Sequence, residues 1–224
     1  MRPLLLTALS LLVAINLQAQ LYEAGIGYGT GSCGKPVGIP SQYQGSTSTS
    51  NPVFMGMFHY QISDVWQIGG SIDGCKWIRN GSWSSIGSSN TPATFTIANP
   101  VTNFCVRFNR MLPFYSVVNP ELVKSYLYLG VSAGMTFTSN DGTQSLSTDG
   151  HENFDLQNAK GYTIGFQVGY AYFFRKHLGL YAELAPRYTN LTASDARDSH
   201  SLEKFNLTYY NFTVGVRYRF KYYY

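Results

Sequence analysis

The chain is poor in charge and in cysteine. Only 12% of its 224 residues are Asp, Glu, Lys or Arg, and the formal net charge is +4. No cluster of basic residues forms a surface for a phosphate backbone, so we expect no nucleic-acid partner. Three cysteines, Cys33, Cys75 and Cys105, are too few for a disulfide framework in a chain of this length, although one pair is compatible with export.

Long apolar runs are also missing, except at the start. Arg2 precedes an apolar segment over 4–15, and Leu17-Gln18-Ala19 forms a small-residue cleavage pattern. The apolar segment is too short for a transmembrane helix, so the pattern predicts a secretory signal peptide over 1–19. We therefore expect an exported protein with one domain over 20–224.

What the chain does contain is an alternating pattern of apolar and polar residues, rich in glycine, tyrosine and phenylalanine. Strict alternation with a period of two predicts β-strands that have one apolar face. The pattern recurs in eight segments: 21–30, 52–62, 65–77, 101–110, 125–138, 161–174, 178–188 and 211–224.

The segments between the predicted strands differ in length. Two are short, at 63–64 and 175–177, and the long ones, 31–51, 78–100, 139–160 and 189–205, are rich in Ser, Thr, Asn, Asp and Gly. In a medium connection over 111–124, we expect a helical turn at 119–124, with Pro120 near its start. Short turns at one end and long loops at the other are typical of outer-membrane barrels. We predict an all-β fold, an eight-stranded antiparallel transmembrane up-and-down β-barrel. Ten strands stay an alternative if "ATFTIA" pairs above the membrane.

The two faces of the strands predict which side meets lipid. A soluble lipocalin-like barrel would turn its apolar face inward and its polar face to water. Here the polar face carries glycines and opposite charges, which suit a narrow interior where charges pair away from lipid. Eight strands enclose a space that side chains just fill, so we expect a salt-bridged plug and no general pore. The inward charges are Glu23, Asp73, Arg107, Glu183, Arg187, Arg217 and Arg219.

Aromatic residues near the strand ends predict where the membrane interfaces lie. Tyr and Trp are enriched at both interfaces of membrane proteins, where they form girdles around a barrel. The expected girdle residues are Tyr22, Tyr60, Trp66, Tyr162, Tyr172, Tyr188 and Tyr218.

In size and pattern, residues 20–224 resemble the small eight-stranded outer-membrane β-barrel proteins of the OmpA and OmpX type. In that class, a last strand that ends in an aromatic residue is read by the barrel-assembly machinery, and Tyr224 stands where Phe is usual. The resemblance therefore implies that this machinery and the lipids of the bacterial outer membrane are partners. The matching residues are Phe212, Val214, Val216, Tyr218, Phe220, Tyr222 and Tyr224.

A narrower resemblance concerns Bacteroidetes-type proteins. The "AQ" processing site and the segments "YLYLGVSAGMTF" and "LGLYAELAPRYTNL" are similar to outer-membrane β-barrel domain proteins of that group, including PorT-like proteins. This resemblance implies an accessory role in secretion or outer-membrane assembly.

Three patterns that could carry chemistry are weak. Gly29–Lys35 approaches a phosphate-binding loop, but Pro36 stands where Ser or Thr would hold a metal ion, so we interpret its glycines as turn residues in a loop. His151-Glu152, and Ser199-His200-Ser201 near Asp195 and Asp198, resemble parts of a hydrolytic or metal site but match no known motif spacing. We interpret them as solvated loops, and predict no catalytic residue, cofactor or metal.

The predicted function follows from these expectations. We expect a non-enzymatic integral outer-membrane protein whose long polar loops have a structural, adhesive or host-contact role, with an extracellular protein or glycan as ligand. Two alternatives stay open, namely an accessory in secretion or assembly and a membrane-embedded lipid-modifying enzyme.

Overall fold

The computed structural model describes residues 21–34, 46–47, 51–83, 93–115, 123–138, 144–146, 159–194 and 202–221. These residues form ten β-strands, eight long and two short. In chain order the strands are β1 Leu21–Cys33, β2 Ser46–Thr47, β3 Asn51–Ser63, β4 Trp66–Trp83, β5 Ala93–Tyr115, β6 Val123–Thr138, β7 Gln144–Leu146, β8 Lys160–Phe173, β9 Leu178–Ser194 and β10 Leu202–Lys221.

The eight long strands close into an antiparallel up-and-down barrel. Each strand pairs with the next long strand in the chain. β10 pairs with β1 over the whole length of β1, from Leu21 opposite Lys221 to Cys33 opposite Tyr209. β2 and β7 only extend the sheet beside β4 and β5. The predicted fold class is therefore confirmed, with eight strands in the barrel.

The stagger of the strands fixes the size of the barrel. A row of paired residues that starts at Glu23 crosses every long strand and returns to β1 at Cys33, ten residues farther along. Eight strands with this stagger tilt by roughly 40° and enclose an interior only wide enough for side chains.

The barrel has a turn end and a loop end. At the turn end, Asp64–Val65 joins β3 to β4, and 174–177 joins β8 to β9. At the loop end lie the connections 34–50, 84–92, 139–159 and 195–201, which contain β2 and β7. Both ends of the described chain, Leu21 and Lys221, lie at the turn end.

Several strands are longer than predicted. β4 and β5 run into the expected 78–100 connection, so "ATFTIA" pairs with β4 and extends the hairpin without adding strands to the barrel. β9 continues to Ser194 and β10 begins at Leu202, which shortens the expected 189–205 loop. The predicted bounds of the 111–124 connection are wrong at both ends, because β5 continues to Tyr115 and β6 begins at Val123. Val123 and Lys124 are therefore extended and not part of a helical turn.

The outer wall is apolar, as predicted. On β3, for example, Phe54 is 65% exposed while its neighbour Met55 is 5% exposed, because successive side chains of a strand point to opposite faces. No helix among the described residues is long and apolar enough to cross a membrane. Isoleucine, valine, leucine and phenylalanine side chains dominate the exposed outer face of the strands.

The predicted girdle residues frame this apolar wall. Tyr22, Tyr60 and Trp66 lie near the turn end, with the rings of Tyr22 and Tyr60 5.1 Å apart. Tyr162 and Tyr172 lie near opposite ends of β8. They are ten positions apart, which is about 33 Å along a strand and about 25 Å along the axis of a tilted barrel. That height matches the apolar band of outer-membrane barrels.

Candidate functional site

The structure brings all seven predicted inward charges into the barrel interior, where each is buried. They are joined by four ion pairs, which connect strands far apart in the sequence. The pairs are Arg107–Glu183 at 2.5 Å, Arg187–Asp73 at 2.6 Å, Arg219–Glu23 at 3.1 Å and Arg217–Glu23 at 3.4 Å.

Glu23 organises the turn end of the lumen. It lies on β1 directly opposite Arg219 of β10, and the Arg219 Nε donates to Glu23 Oε1 at 3.1 Å. Its other oxygen, Oε2, accepts hydrogen bonds from the Tyr126 hydroxyl and from Gln67 Nε2. Several donors therefore surround this carboxylate, which is 1% exposed, and they compensate for the burial of its oxygens.

Arg217 lies in a cage of three tyrosine rings. Its guanidinium carbon is 4.7 Å from the ring centre of Tyr128, 4.9 Å from Tyr181 and 5.7 Å from Tyr126. Cation–π contacts of this kind are strongest when they are shielded from water. A Cβ at Gly215 would lie 2.7 Å from the Tyr181 ring, so only glycine leaves space for this ring there.

A second ionic group occupies the middle of the lumen. Arg107 of β5 reaches across the barrel to Glu183 of β9, and the Tyr128 hydroxyl donates to the same Glu183 oxygen at 2.6 Å. Beside it, Gln167 Nε2 donates to Asn109 Oδ1 at 2.8 Å, and Asn109 lies 3.3 Å from His59. Polar side chains from opposite walls therefore meet at the barrel axis.

The third ionic group lies nearer the loop end. Arg187 pairs with Asp73, whose other oxygen accepts a hydrogen bond from Asn103 Nδ2 at 2.6 Å. Arg187 Nη1 also lies 2.7 Å from the thiol sulfur of Cys105, and Thr136 donates to Asn103. The group spans β4, β5, β6 and β9.

An apolar layer closes the lumen above these groups. Its members are buried side chains at the loop ends of the strands, and the most deeply buried are Val53, Leu191 and Leu207, all at 0% exposure. Sequence reasoning assigned only polar and small residues to the interior, so this layer was missed. Among the residues that the structure describes, the layer consists of Val53, Cys75, Val101, Ala159, Leu191, Leu207 and Tyr209.

The remaining candidate residues lie elsewhere. Phe212, Val214, Val216, Tyr218 and Phe220 point outward from β10 and are exposed. Tyr222 and Tyr224 lie outside the described residues, as do His151, Glu152, Asp195, Asp198, Ser199, His200 and Ser201.

The segment that resembles a phosphate-binding loop is partly strand. Gly29 and Thr30 lie in β1, as the predicted strand over 21–30 requires, and β1 continues to Cys33. The expected connection is therefore wrong for positions 31–33. A Cβ at Gly29 would clash with the backbone of β10, which explains this glycine by close strand packing. Within the described ranges, no three His, Cys, Asp or Glu side chains are grouped so that they could hold a metal ion.

Comparison with known proteins gives structural matches alone. No protein-family model and no curated protein matches the chain. The outer-membrane protein AlkL, solved in lipid bilayers, matches with a TM-score of 0.50 and 16% identity, over 90% of this chain and 90% of AlkL. The chain has the fold of the small outer-membrane β-barrels.

Two further solved structures match the barrel over most of their length. Neisserial surface protein A has 11% identity and a TM-score of 0.47, over 89% of this chain and 97% of its own. Ail, the attachment invasion locus protein of Yersinia pestis, has 12% identity and a TM-score of 0.45, over 91% and 100%. The predicted similarity to barrels of the OmpA and OmpX type is confirmed as a similarity of fold. An outer-membrane location follows from this fold and the apolar outer wall.

Sequence reasoning gave no role to the tyrosines of the lumen. Tyr126, Tyr128 and Tyr181 share the inward face with the charged residues, so the alternation did contain the signal. They were overlooked because tyrosine on a membrane barrel is first expected at the interfaces. The neighbouring glycines, which leave room for large inward rings, are the second clue.

Proposed function

We propose that this barrel is a non-enzymatic outer-membrane protein that presents its loop-end connections to an extracellular ligand. One observation supports this above the others. From the Glu23 group at the turn end to the apolar layer at the loop end, the described lumen is filled by side chains. A barrel with a filled bore has little capacity to transport solutes, so its contacts with other molecules fall to its ends and its outer wall.

The charge of the loop-end connections favours a cationic ligand. The segments 34–50, 84–92, 139–159 and 195–201 contain six acidic and two basic residues, although the whole chain has a net charge of +4. Four of the carboxylates, Asp141, Asp149, Glu152 and Asp155, lie in 139–159, which has no Lys or Arg. Such a segment attracts a basic protein surface and repels a polyanionic glycan.

The charge preference can be tested with the purified full-length barrel in octyl glucoside, a neutral detergent. Poly-L-lysine and heparin serve as probes of opposite charge, and binding is measured by titration. We expect saturable binding of poly-L-lysine that is weakened at least tenfold in the variant D141N/D149N/E152Q/D155N. Asp64 is exposed at the turn end, so D64N is the matched control and should stay within about twofold of the wild type.

Two results would contradict the proposal. Tighter binding of heparin than of poly-L-lysine would reverse the preferred charge, and an unchanged affinity of the fourfold variant would remove the connection 139–159 from the site. Recovery of secretion components in a pull-down from native membranes would instead favour the accessory role.

A further inference from the structure

Two lysines on the outer wall flank one threonine at the loop end. Lys160 of β8 and Lys204 of β10 both pair with Thr192 of β9, so the three residues form one row across three adjacent strands. All three belong to the outward-facing set, and both lysines are exposed. Neighbouring strands lie about 4.8 Å apart, which places the two lysine Cα atoms about 10 Å from each other. Two side chains of this length can reach one anion between them.

The next row toward the membrane centre is polar as well. Tyr162, Asn190 and Asn206 follow one another across the same three strands. The Asn190 side chain donates to the Asn206 carboxamide oxygen at 2.6 Å. Asn190 Nδ2 has two hydrogens and uses one in this bond, so the row still offers donors to a ligand. Polar side chains at this position are unusual on a wall whose other described outward residues are mostly apolar.

An apolar groove begins directly below these rows. Its volume is about 760 Å³, and it runs from Thr208 and Tyr210 of β10 across Pro186 and Ala133 toward Val106 of β5. Ile164 and Phe166 of β8 lie between Pro186 and Ala133, and most of the lining is apolar. Its volume is within the range of small-molecule sites.

The pairing of β8 with β9 is interrupted beneath the groove, at Pro186. β8 and β9 pair from Lys160 to Gly165 and again from Val168, but Phe166 and Gln167 have no ladder partners in β9. Proline has no N–H group, so the position opposite Phe166 cannot supply the usual ladder bond.

We propose that this face of β8, β9 and β10 binds a phosphorylated lipid of the loop-side leaflet. The phosphate lies between Lys160 and Lys204, the carboxamides of Asn190 and Asn206 contact the polar head, and an acyl chain occupies the groove. The two lysines complement the negative charge of a phosphate, and none of the described outward-facing side chains of these three strands is a carboxylate that would repel it. Cations near a membrane surface attract anionic lipids with about 1 kcal/mol each. The site is on the wall and does not depend on the ligand of the loop-end connections.

A minimal probe for this site is dodecyl phosphate, which combines one phosphate with one alkyl chain. Its binding to the barrel in octyl glucoside can be titrated by native mass spectrometry, next to inorganic phosphate and dodecyl maltoside. We expect dodecyl phosphate to bind more tightly than either of them. The variant K160Q/K204Q should weaken this binding about 25-fold, which corresponds to about fivefold per lysine.

Two further variants test the binding of the phosphate group and of the alkyl chain separately. Lys76 is an exposed outward lysine on β4 with no second lysine beside it among the described residues, so K76Q is the matched control and should change the affinity less than twofold. A133F should fill the groove and weaken dodecyl phosphate about tenfold, the contribution of roughly two buried methylene groups. It should leave the affinity for inorganic phosphate unchanged.

Each alternative outcome decides against the site. Equal affinities for dodecyl phosphate and inorganic phosphate would mean that the groove does not bind the chain. An equal loss in K76Q and K160Q/K204Q would mean attraction by net charge alone. Unchanged mobility of unboiled samples on gels would establish that the variants are folded, since all four substituted positions lie on the outer wall.

Discussion

Replacing Glu183 by glutamine tests whether water surrounds the ion pair between Arg107 and Glu183 in the lumen. The Glu183 carboxylate lies 2.5 Å from Arg107, and both side chains are 1% exposed. Two charges about 4 Å apart attract each other by about 1 kcal/mol in water, but by about 4 kcal/mol at the effective dielectric constant of a protein. Glutamine keeps the size of the side chain and can accept from the Tyr128 hydroxyl, so E183Q removes mainly the charge. We expect it to lower the free energy of unfolding by about 3–5 kcal/mol.

A double-mutant cycle isolates the ion pair from other effects of the substitution. R107M should cost a similar amount, because it leaves Glu183 charged and buried. The double variant E183Q/R107M should lose about 2–3 kcal/mol less than the sum of the single losses, since neither charge is then left alone. The assay is unfolding by urea in lipid vesicles, followed by the fluorescence of the three tryptophans and by gel mobility.

The size of the loss distinguishes a filled lumen from an aqueous one. Single losses below about 1 kcal/mol, with additive behaviour in the double variant, are typical of pairs in water. That result would refute the reasoning, because it requires a hydrated bore around Arg107 and Glu183. D64N, which removes an exposed carboxylate at the turn end, should change the stability by less than about 0.5 kcal/mol.

Further predictions concern transport, assembly and catalysis. In planar bilayers the barrel should give no steady, large conductance, and a stable open level would contradict the filled lumen. Deletion of Tyr222–Tyr224 should lower the amount of barrel assembled in cells while the purified chain still refolds in detergent, whereas undiminished assembly would contradict a role as assembly signal. The replacements H151A and H200A should leave lipid A unchanged in mass spectra, and an altered acylation pattern would indicate a lipid-modifying enzyme.

The sequence predicted the faces of the strands better than their ends. Lipid outside and a narrow lumen inside force apolar and polar residues to alternate, so the opposite orientations of Phe54 and Met55 could be predicted from their spacing alone. Phe104 of β5 lies in the same row as the girdle residue Tyr162, and at 93–100 the strand continues beyond this row toward the loop end. Alternation is enforced where lipid covers one face of the strand. The alternation over 93–100 is short, so the spacing predicted a connection.

The sequence predicted which charged residues point into the lumen. It did not predict which of them form ion pairs with each other. Glu23 and Arg219 are direct neighbours because the last strand closes on the first. Both were predicted to point inward, but the sequence did not indicate that they would pair with each other. Arg107 and Glu183 lie on strands that are not neighbours, 76 residues apart in the chain. Their contact depends on the stagger of the whole barrel, for which alternation gives no signal.

The ion pairs of the lumen specify the register of neighbouring strands, which the apolar outer wall does not. A slip of two residues between neighbouring strands leaves every apolar side chain facing lipid, because the side-chain period is two. The same slip would move Arg107 about 7 Å along its strand relative to its neighbours and away from Glu183. The buried charge left behind would cost several kcal/mol, and the Arg217 cage would be separated from Tyr181 in the same way. In a barrel whose outer face tolerates several registers, the luminal charges and rings therefore select the observed stagger, even where their net contribution to stability is small.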